Sequence, residues 1–325
     1  MKKILLLDTS VATLNMGDEI IHSSIINNWS ELMENNYVCT FPTHTPPFSW
    51  WQNILCKKKV ALYNNMDYKF LCGTNALYTN MLRPFPTWNI NILNRNVLSG
   101  TILVGVGAGV NSKNVNYYTR HLYQSVLSKA YIHSVRDDFT KEMLEKMGFK
   151  AYNTGCPTLW GLTPEFCQKI PTTKSKEVVF TLTGYHPDEE NDKRMVDVLA
   201  NNYDKLLFWP QSISDLDYLK HFNFKYKIEL IPPSLNAYDS ALCKNVDYVG
   251  NRLHGGIRAL QHGKRSVIVS IDYRALNMSK HFSLPIIQRK DIANQLDELI
   301  NEEYRTEIKG IDFDLVKEWK NQFDF

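Results

Sequence analysis

The sequence predicts a two-domain α/β protein built on parallel sheets, and three observations carry this. Short apolar runs of strand length recur along the 325 residues, most of them closing on polar or glycine residues. Stretches with apolar residues at helical spacing separate these runs. The polar segment Thr163–Lys176, with prolines at 164 and 171, divides them into two series. A strand–helix–strand alternation implies parallel pairing, because the helix carries the chain back to the end of the sheet where it began. The length exceeds what one small core needs and fits two ordinary domains.

In chain order, Ile4–Leu7 is an apolar run capped by Asp8 and reads as the first strand. Asn15-Met16-Gly17-Asp18-Glu19 follows, then Ile20, Ile21, Ser24, Ile25 and Trp29 at helical spacing. Asp18 and Glu19 fall in the first turn of that helix, where unpaired backbone N–H groups favour carboxylates. Tyr68–Cys72 is a second strand, ending in Gly73-Thr74-Asn75. Thr101–Val106 is a third, running through Gly107-Ala108-Gly109. Tyr131–Val135 is a fourth, ending in Arg136-Asp137-Asp138 before a helix over Phe139–Met147 that Gly148 stops. The second series comprises Val178–Leu182, Lys205–Trp209, Lys227–Ile231, Asp247–Val249 and Val267–Ile271. Helical patterns lie between them, at Met195-Val196-Val198-Leu199 and at Leu216 and Leu219. Asp247–Val249 leads into Asn251-Arg252-Leu253-His254-Gly255-Gly256, and Ile257, Ala259 and Leu260 belong to a glycine-led helix ending near His262-Gly263. The expected division is a domain over 1–168, a domain over 169–309 and a C-terminal helix, 310–325, packed back on them. Two Rossmann-like halves then face a cleft, and ligands of such sheets bind beyond the carboxyl ends of the strands.

Bulk properties exclude several classes. Lys and Arg number 37 against 34 Asp and Glu, a net charge of +3 that does not argue for a nucleic-acid partner. Six cysteines without a C-x-x-C pair read as reduced thiols, and the histidines show no metal-ligand spacing. The apolar run at Ile4–Leu7 is too short for a signal peptide, and nothing reaches membrane-spanning length. A cytoplasmic protein without a required metal or cofactor is expected. The segment 41–66 is unusual: Pro42, Pro46, Pro47, Phe48, Trp50 and Trp51 precede Lys57-Lys58-Lys59. Aromatics beside a basic cluster suit peripheral contact with the inner face of a membrane, or a platform for sugar rings. The alternative is that the tryptophans fill the first domain's core while the lysines are solvated.

Three motifs occur in order: Asn15-x-Gly17-Asp18, Ser134-Val135-Arg136-Asp137 and Arg252-Leu253-His254-Gly255. Together they resemble the polysaccharide pyruvyl transferase family, over about Ile4 to Pro285. The resemblance implies a GT-B-like fold with the acceptor on the N-terminal domain and the donor on the C-terminal one. It implies transfer of a pyruvyl group from phosphoenolpyruvate, as co-substrate, to a saccharide, usually as a cyclic ketal. Arg252 and His254 match the family's Arg-Leu-His motif and Arg136 its first-domain arginine, the positions associated with the donor. Two segments depart from the family pattern. Cys72-Gly73-Thr74-Asn75 stands where many members carry a run of glycines. Ile271-Asp272-Tyr273-Arg274 stands where many carry a Tyr-Asp-x-Lys-like segment, and Arg274 restores the charge with a different geometry.

Phosphoenolpyruvate carries a carboxylate and a phosphate, and the planar fork of arginine matches either group bidentately. Arg136 and Arg252 are therefore the expected anchors, with Leu253, His254 and the backbone N–H groups of Gly255 and Gly256 beside them. Ketal formation needs proton transfer near neutral pH, which suits His254. Among the carboxylates Asp18, Glu19, Asp137 and Asp272, Asp18 is the expected base on the sugar hydroxyl. Asn15, Gly17, Asn75, Gly107 and Arg274 are expected to line the cleft. Gly105-x-Gly107-x-Gly109 lacks the dinucleotide-loop spacing and reads as a tight turn. Each position also has a plainer reading: an Arg136–Asp137 ion pair, a packed His254, a helix cap at Asn15. The acceptor is expected to be a lipid-linked or polymeric cell-surface glycan precursor. A GT-B glycosyltransferase using a nucleotide sugar and a non-catalytic glycan-binding relative are the alternatives.

Overall fold

The computed structural model describes residues 1–110, 112, 114–271 and 282–325. They form two compact units. One comprises Met1–Thr13, Ile21–Trp160 and Asp312–Phe325; the other comprises Leu14–Ile20 and Gly161–Ile311.

The first unit is organised by a parallel sheet of β1 (Lys3–Asp8), β2 (Tyr37–Pro42), β3 (Tyr68–Cys72) and β5 (Thr101–Val104), in the order β2-β1-β3-β5. A short parallel pair joins β4 (Asn75–Leu77) to β6 (Gly107–Ala108), and a second joins β7 (His133–Val135) to β8 (Ala151–Asn153). Val106 bridges Val135, linking the end of β5 to β7. The two-residue period of a strand builds a core on each face. Leu5, Leu7, Leu71 and Leu103 face one core; Ile4, Leu6, Phe70, Ile102 and Val104 face the other. The second core also holds Trp29 and Trp319, with ring centroids 5.2 Å apart, so the helix Phe313–Lys320 packs within this unit.

The second unit carries six parallel strands: β9 (Glu177–Thr181), β10 (Lys205–Phe208), β11 (Ile228–Leu230), β12 (Val246–Gly250), β13 (Ser266–Ser270) and β14 (Ile286–Gln288). Their order is β11-β10-β9-β12-β13-β14. Counted within the unit this is 3-2-1-4-5-6, whose direction of winding reverses between β9 and β12. The crevice beyond the carboxyl ends of those two strands is where such sheets take ligands. Gly250 permits the close pairing there, since a Cβ on it would lie 2.3 Å from Thr181 Oγ1.

Two expectations change, and one of two open readings falls. The segment Thr163–Lys176 lies inside the second unit rather than between units: Thr163 caps a turn at Phe166, and Cys167 and Ile170 are buried. The helix after β12 begins at Leu253 and ends at Gln261, ahead of the glycines that were to lead it. Within 41–66, Trp50 and Trp51 do not fill the core; they are 58% and 48% exposed, whereas Phe48 is buried.

Candidate functional site at the Arg252 motif

Arg252 follows β12 and caps the helix Leu253–Gln261. Its backbone is held by a closed ring of hydrogen bonds. The Arg252 N–H donates to Thr181 Oγ1 (3.2 Å), which is paired with the Tyr248 hydroxyl (2.7 Å), which donates to the Arg252 carbonyl (2.8 Å). The side chain is buried against Asp215, Nε to Oδ2 at 3.0 Å and Nη2 to Oδ1, and Nη2 also donates to Ser212 Oγ at 2.8 Å. The Tyr185 ring lies 4.6 Å from the guanidinium carbon. Asp215 is itself fixed, because its carboxylate accepts the backbone N–H groups of Gly184, Gln211 and Ser212, each at 3.0 Å.

This arrangement corrects the expected mode of anion binding. The fork formed by Nε and Nη2 is occupied by Asp215, so it is not open to a ligand in the bidentate sense. Among the described residues, the two N–H groups on Nη1 have no hydrogen-bond partner. Gly256 is corrected as well. Its N–H donates to the Arg252 carbonyl (3.0 Å), and a Cβ on it would lie 2.4 Å from Ile268 Cγ1. Glycine at 256 therefore serves the packing of the helix on β13. Leu253 and His254 lie in the first helical turn and are partly exposed, with Gly255 buried behind them.

The Asn15 motif reaches the same place. Met16 N–H donates to the Gln211 carbonyl (2.9 Å), and Gln211 Nε2 donates to Asn15 Oδ1 (2.8 Å). Asn15 Oδ1 also accepts the Gly17 N–H (3.1 Å), and a Cβ on Gly17 would lie 2.8 Å from Gln211 Nε2. Asn15 thus opens the helix Met16–Asn28 while tying it to the Gln211-Ser212 loop that holds Asp215. Asp18 is partly exposed in the same turn.

Four buried side chains around these strand ends carry a polar atom with no hydrogen-bond partner among the described residues: Thr183 Oγ1, Trp209 Nε1, Gln211 Oε1 and Asn251 Oδ1. They follow the carboxyl ends of β9, β10 and β12, three neighbouring strands. Buried polar atoms are nearly always paired, so a group of this kind at a sheet's switch point marks a candidate ligand site. Beside it, buried Asp192 accepts from Asn251 Nδ2 (3.1 Å), Tyr218 Oη (2.9 Å) and Arg289 Nη2 (3.0 Å). Burial pushes the Asp192 carboxyl up to about 6, against the opposing pull of Arg289 and the Tyr218 hydrogen bond.

In the first unit, three expected residues form one cluster. Arg136 Nη2 donates to Asn75 Oδ1, and Asn75 pairs with Gly107 between β4 and β6. A Cβ on Gly107 would lie 2.4 Å from Arg136 Nε and 2.6 Å from Asn75 Oδ1. Arg136 Nε also stands 3.8 Å from Asp137 Oδ2, while Asp137 caps the helix Asp138–Glu145 at Thr140 N–H (2.7 Å). Asp272, Tyr273 and Arg274 lie outside the described residues. Among the described residues no group of three or more His, Cys, Asp or Glu is placed to hold a metal, and no helix is long and apolar enough to cross a membrane.

Sequence reasoning missed Asp215, Gln211, Ser212 and Tyr185. One local signal was present: Ser212-x-x-Asp215, directly after β10, is a capping-box spacing, and the helix Ile213–His221 does begin there.

The fold is similar to three solved structures. The UDP-GlcNAc 2-epimerase of Methanocaldococcus jannaschii, in complex with UDP-GlcNAc and UDP, is 13% identical, with 98% of this chain and 99% of that one covered and a TM-score of 0.52. MnaA of S. aureus with UDP is 11% identical over 99% and 98% of the two chains, with a TM-score of 0.52. A further UDP-N-acetylglucosamine 2-epimerase is 10% identical over 99% and 95%, also at 0.52. With the parallel sheets, these likenesses show the GT-B-like fold class. No curated protein sequence matches the chain. The family model described as polysaccharide pyruvyl transferase matches residues 15–273, which begins at Asn15 and takes in the Arg136 and Arg252 motifs. The chain belongs to the polysaccharide pyruvyl transferase family.

Proposed function

We propose that this protein moves the pyruvyl group of phosphoenolpyruvate onto two hydroxyls of a saccharide, forming a ketal and releasing phosphate. The acceptor would be a lipid-linked or polymeric glycan precursor of the cell surface. One observation carries the reading: Arg252, within the stretch that the family model matches, is buried, held by Asp215 and placed at a helix start beside buried polar atoms that have no partner among the described residues. An anion is stabilised there by the Nη1 N–H groups and by the backbone N–H groups ahead of Gly256.

The reaction balances as follows. A sugar hydroxyl bonds to the central carbon of the donor while the methylene takes up a proton and becomes a methyl group. A second hydroxyl then displaces phosphate. His254, partly exposed in the first helical turn, is assigned to proton transfer at the methylene or the leaving phosphate. Asp18 is assigned to the sugar hydroxyl. Arg136 keeps a donor assignment through its match to the family's first-domain arginine. No step requires a metal or organic cofactor.

Calorimetric titration of the purified protein tests the donor. Phosphoenolpyruvate should bind, and Arg252→Lys should weaken it about tenfold or more, because lysine keeps the charge and loses the planar geometry. Binding of a UDP-sugar with none of phosphoenolpyruvate would replace this reading with glycosyl transfer.

A further inference from the structure

The net charge of +3 conceals a strong asymmetry along the chain. From Asn35 to Arg136 there are ten Lys and Arg and one acidic residue, Asp67. Within that stretch lies a helix that is inside out. Trp50–Leu55 has four large apolar side chains among its six residues, yet none of the six is buried. Ser49 and Gln52 close a capping box at its start, so the helix is built rather than frayed. Asn53 Nδ2 donates to the Leu93 carbonyl (3.1 Å), tying the helix to Leu93, itself 61% exposed. The next helix, Lys57–Asn64, opens with three exposed lysines and adds exposed Leu62.

An exposed apolar group of this size marks an interaction surface. Its composition selects the partner. Tryptophans beside aliphatic Ile54, Leu55, Leu62 and Leu93 suit the boundary between headgroups and acyl chains, and adjacent lysines suit anionic headgroups. Aliphatic side chains offer nothing for stacking on nucleic-acid bases. We propose that the surface formed by Trp50–Leu55, Lys57–Lys59 and Leu93 docks the protein on an anionic lipid bilayer. This surface would act independently of the donor chemistry.

The tryptophans supply the test. Of seven, Trp29, Trp88, Trp160, Trp209 and Trp319 are buried, and Trp50 and Trp51 are exposed. Brominated acyl chains quench a fluorophore only when it enters the bilayer, so quenching reads these two. The full chain is mixed with vesicles of brominated phosphatidylcholine, with and without phosphatidylglycerol, at low and high salt. Quenching is expected with the anionic vesicles and should fall with salt. Lys57→Gln/Lys58→Gln/Lys59→Gln should weaken anionic-vesicle binding on the order of 100-fold. Trp50→Phe/Trp51→Phe should remove the quenching while sedimentation with vesicles persists. Absence of quenching at low salt, or binding unchanged by the lysine substitutions with the circular dichroism spectrum intact, would overturn the proposal. So would tighter binding of an RNA than of the vesicles, or a concentration-dependent dimer that hides both tryptophans and ignores vesicles.

Discussion

Arg252 and Asp215 form a buried two-point ion pair, Nε to Oδ2 at 3.0 Å with Nη2 on Oδ1, and Asp215 is fully buried beneath it. The pair decides how the arginine can be used. Its charge is balanced within the protein, its orientation is set before any ligand arrives, and only its outer edge remains for an anion. Pre-organisation of this kind removes the entropy that a flexible surface arginine would lose on binding.

Removing Asp215 strands a buried guanidinium and three backbone N–H groups at once. Asp215→Ala should therefore lower unfolding stability by about 3–5 kcal/mol, the range for breaking a buried pair on one side. Asp215→Asn keeps the shape and some of the hydrogen bonds and should cost less. Urea unfolding with an unchanged m-value checks both. Arg252→Ala should also destabilise, which is why Arg252→Lys is the better probe of the donor.

His254 should behave in the opposite way. It is partly exposed in the first helical turn, so His254→Gln should cost much less stability than Asp215→Ala. If His254 transfers the proton, turnover should fall by about 10²–10⁴-fold. Phosphate release from phosphoenolpyruvate with a saccharide acceptor, measured beside a thermal melt, separates the two effects. Equal losses of stability and turnover would assign His254 to packing.

Asp192 supplies a pH dependence. Burial raises its carboxyl in the folded state to about 6 from 3.8, while the unfolded group keeps the ordinary value. Between those values the folded state binds more protons than the unfolded one, so this group's contribution to stability falls as pH rises from 4 to 6. The loss is up to about 3 kcal/mol and is complete above 6. Urea midpoints at pH 4 to 7 should show wild type losing ground relative to Asp192→Asn across that window. Parallel pH profiles would remove the assignment.

The fold was legible where burial is two-sided. β3 and β12 sit in the sheet interior with every residue buried, and their apolar runs announced them. β2 (Tyr37–Pro42) is a half-exposed edge strand of mixed polarity, and β8 and β14 are three residues each, too short for periodicity to register. Arg252 and Asn15 were legible as motifs. Their connection through Gln211 and Asp215 was not, because it spans 196 residues between Asn15 and Gln211 and 37 between Asp215 and Arg252. Trp50 and Trp51 show the limit of composition, since exposed and buried tryptophans read alike in sequence.

Gly256 distinguishes packing from ligand binding. A Cβ there would meet Ile268 at 2.4 and 2.7 Å. Gly256→Ala should cost about 1–3 kcal/mol by overpacking. Because the Gly256 N–H already serves the Arg252 carbonyl, donor affinity per folded molecule should stay within about twofold, a change that corresponds to less than ~0.5 kcal/mol. A large loss of affinity in fully folded variant would return Gly256 to the anion site.

Gly107 offers a way to move Arg136 without replacing it. The backbone at Gly107 does not lie in the left-handed region, so alanine fits the conformation. Its Cβ would nevertheless stand 2.4 Å from Arg136 Nε and 2.6 Å from Asn75 Oδ1, so the arginine must shift. If Arg136 contacts the donor, Gly107→Ala should weaken phosphoenolpyruvate binding about tenfold although alanine touches no ligand. The loss should then be non-additive with Arg136→Lys, because both substitutions act through one guanidinium. Titration of the two single variants and the double variant measures the coupling. Additive losses would show that Gly107 acts by another route, and no loss in either single variant would leave Arg136 as the partner of Asn75 and Asp137 alone.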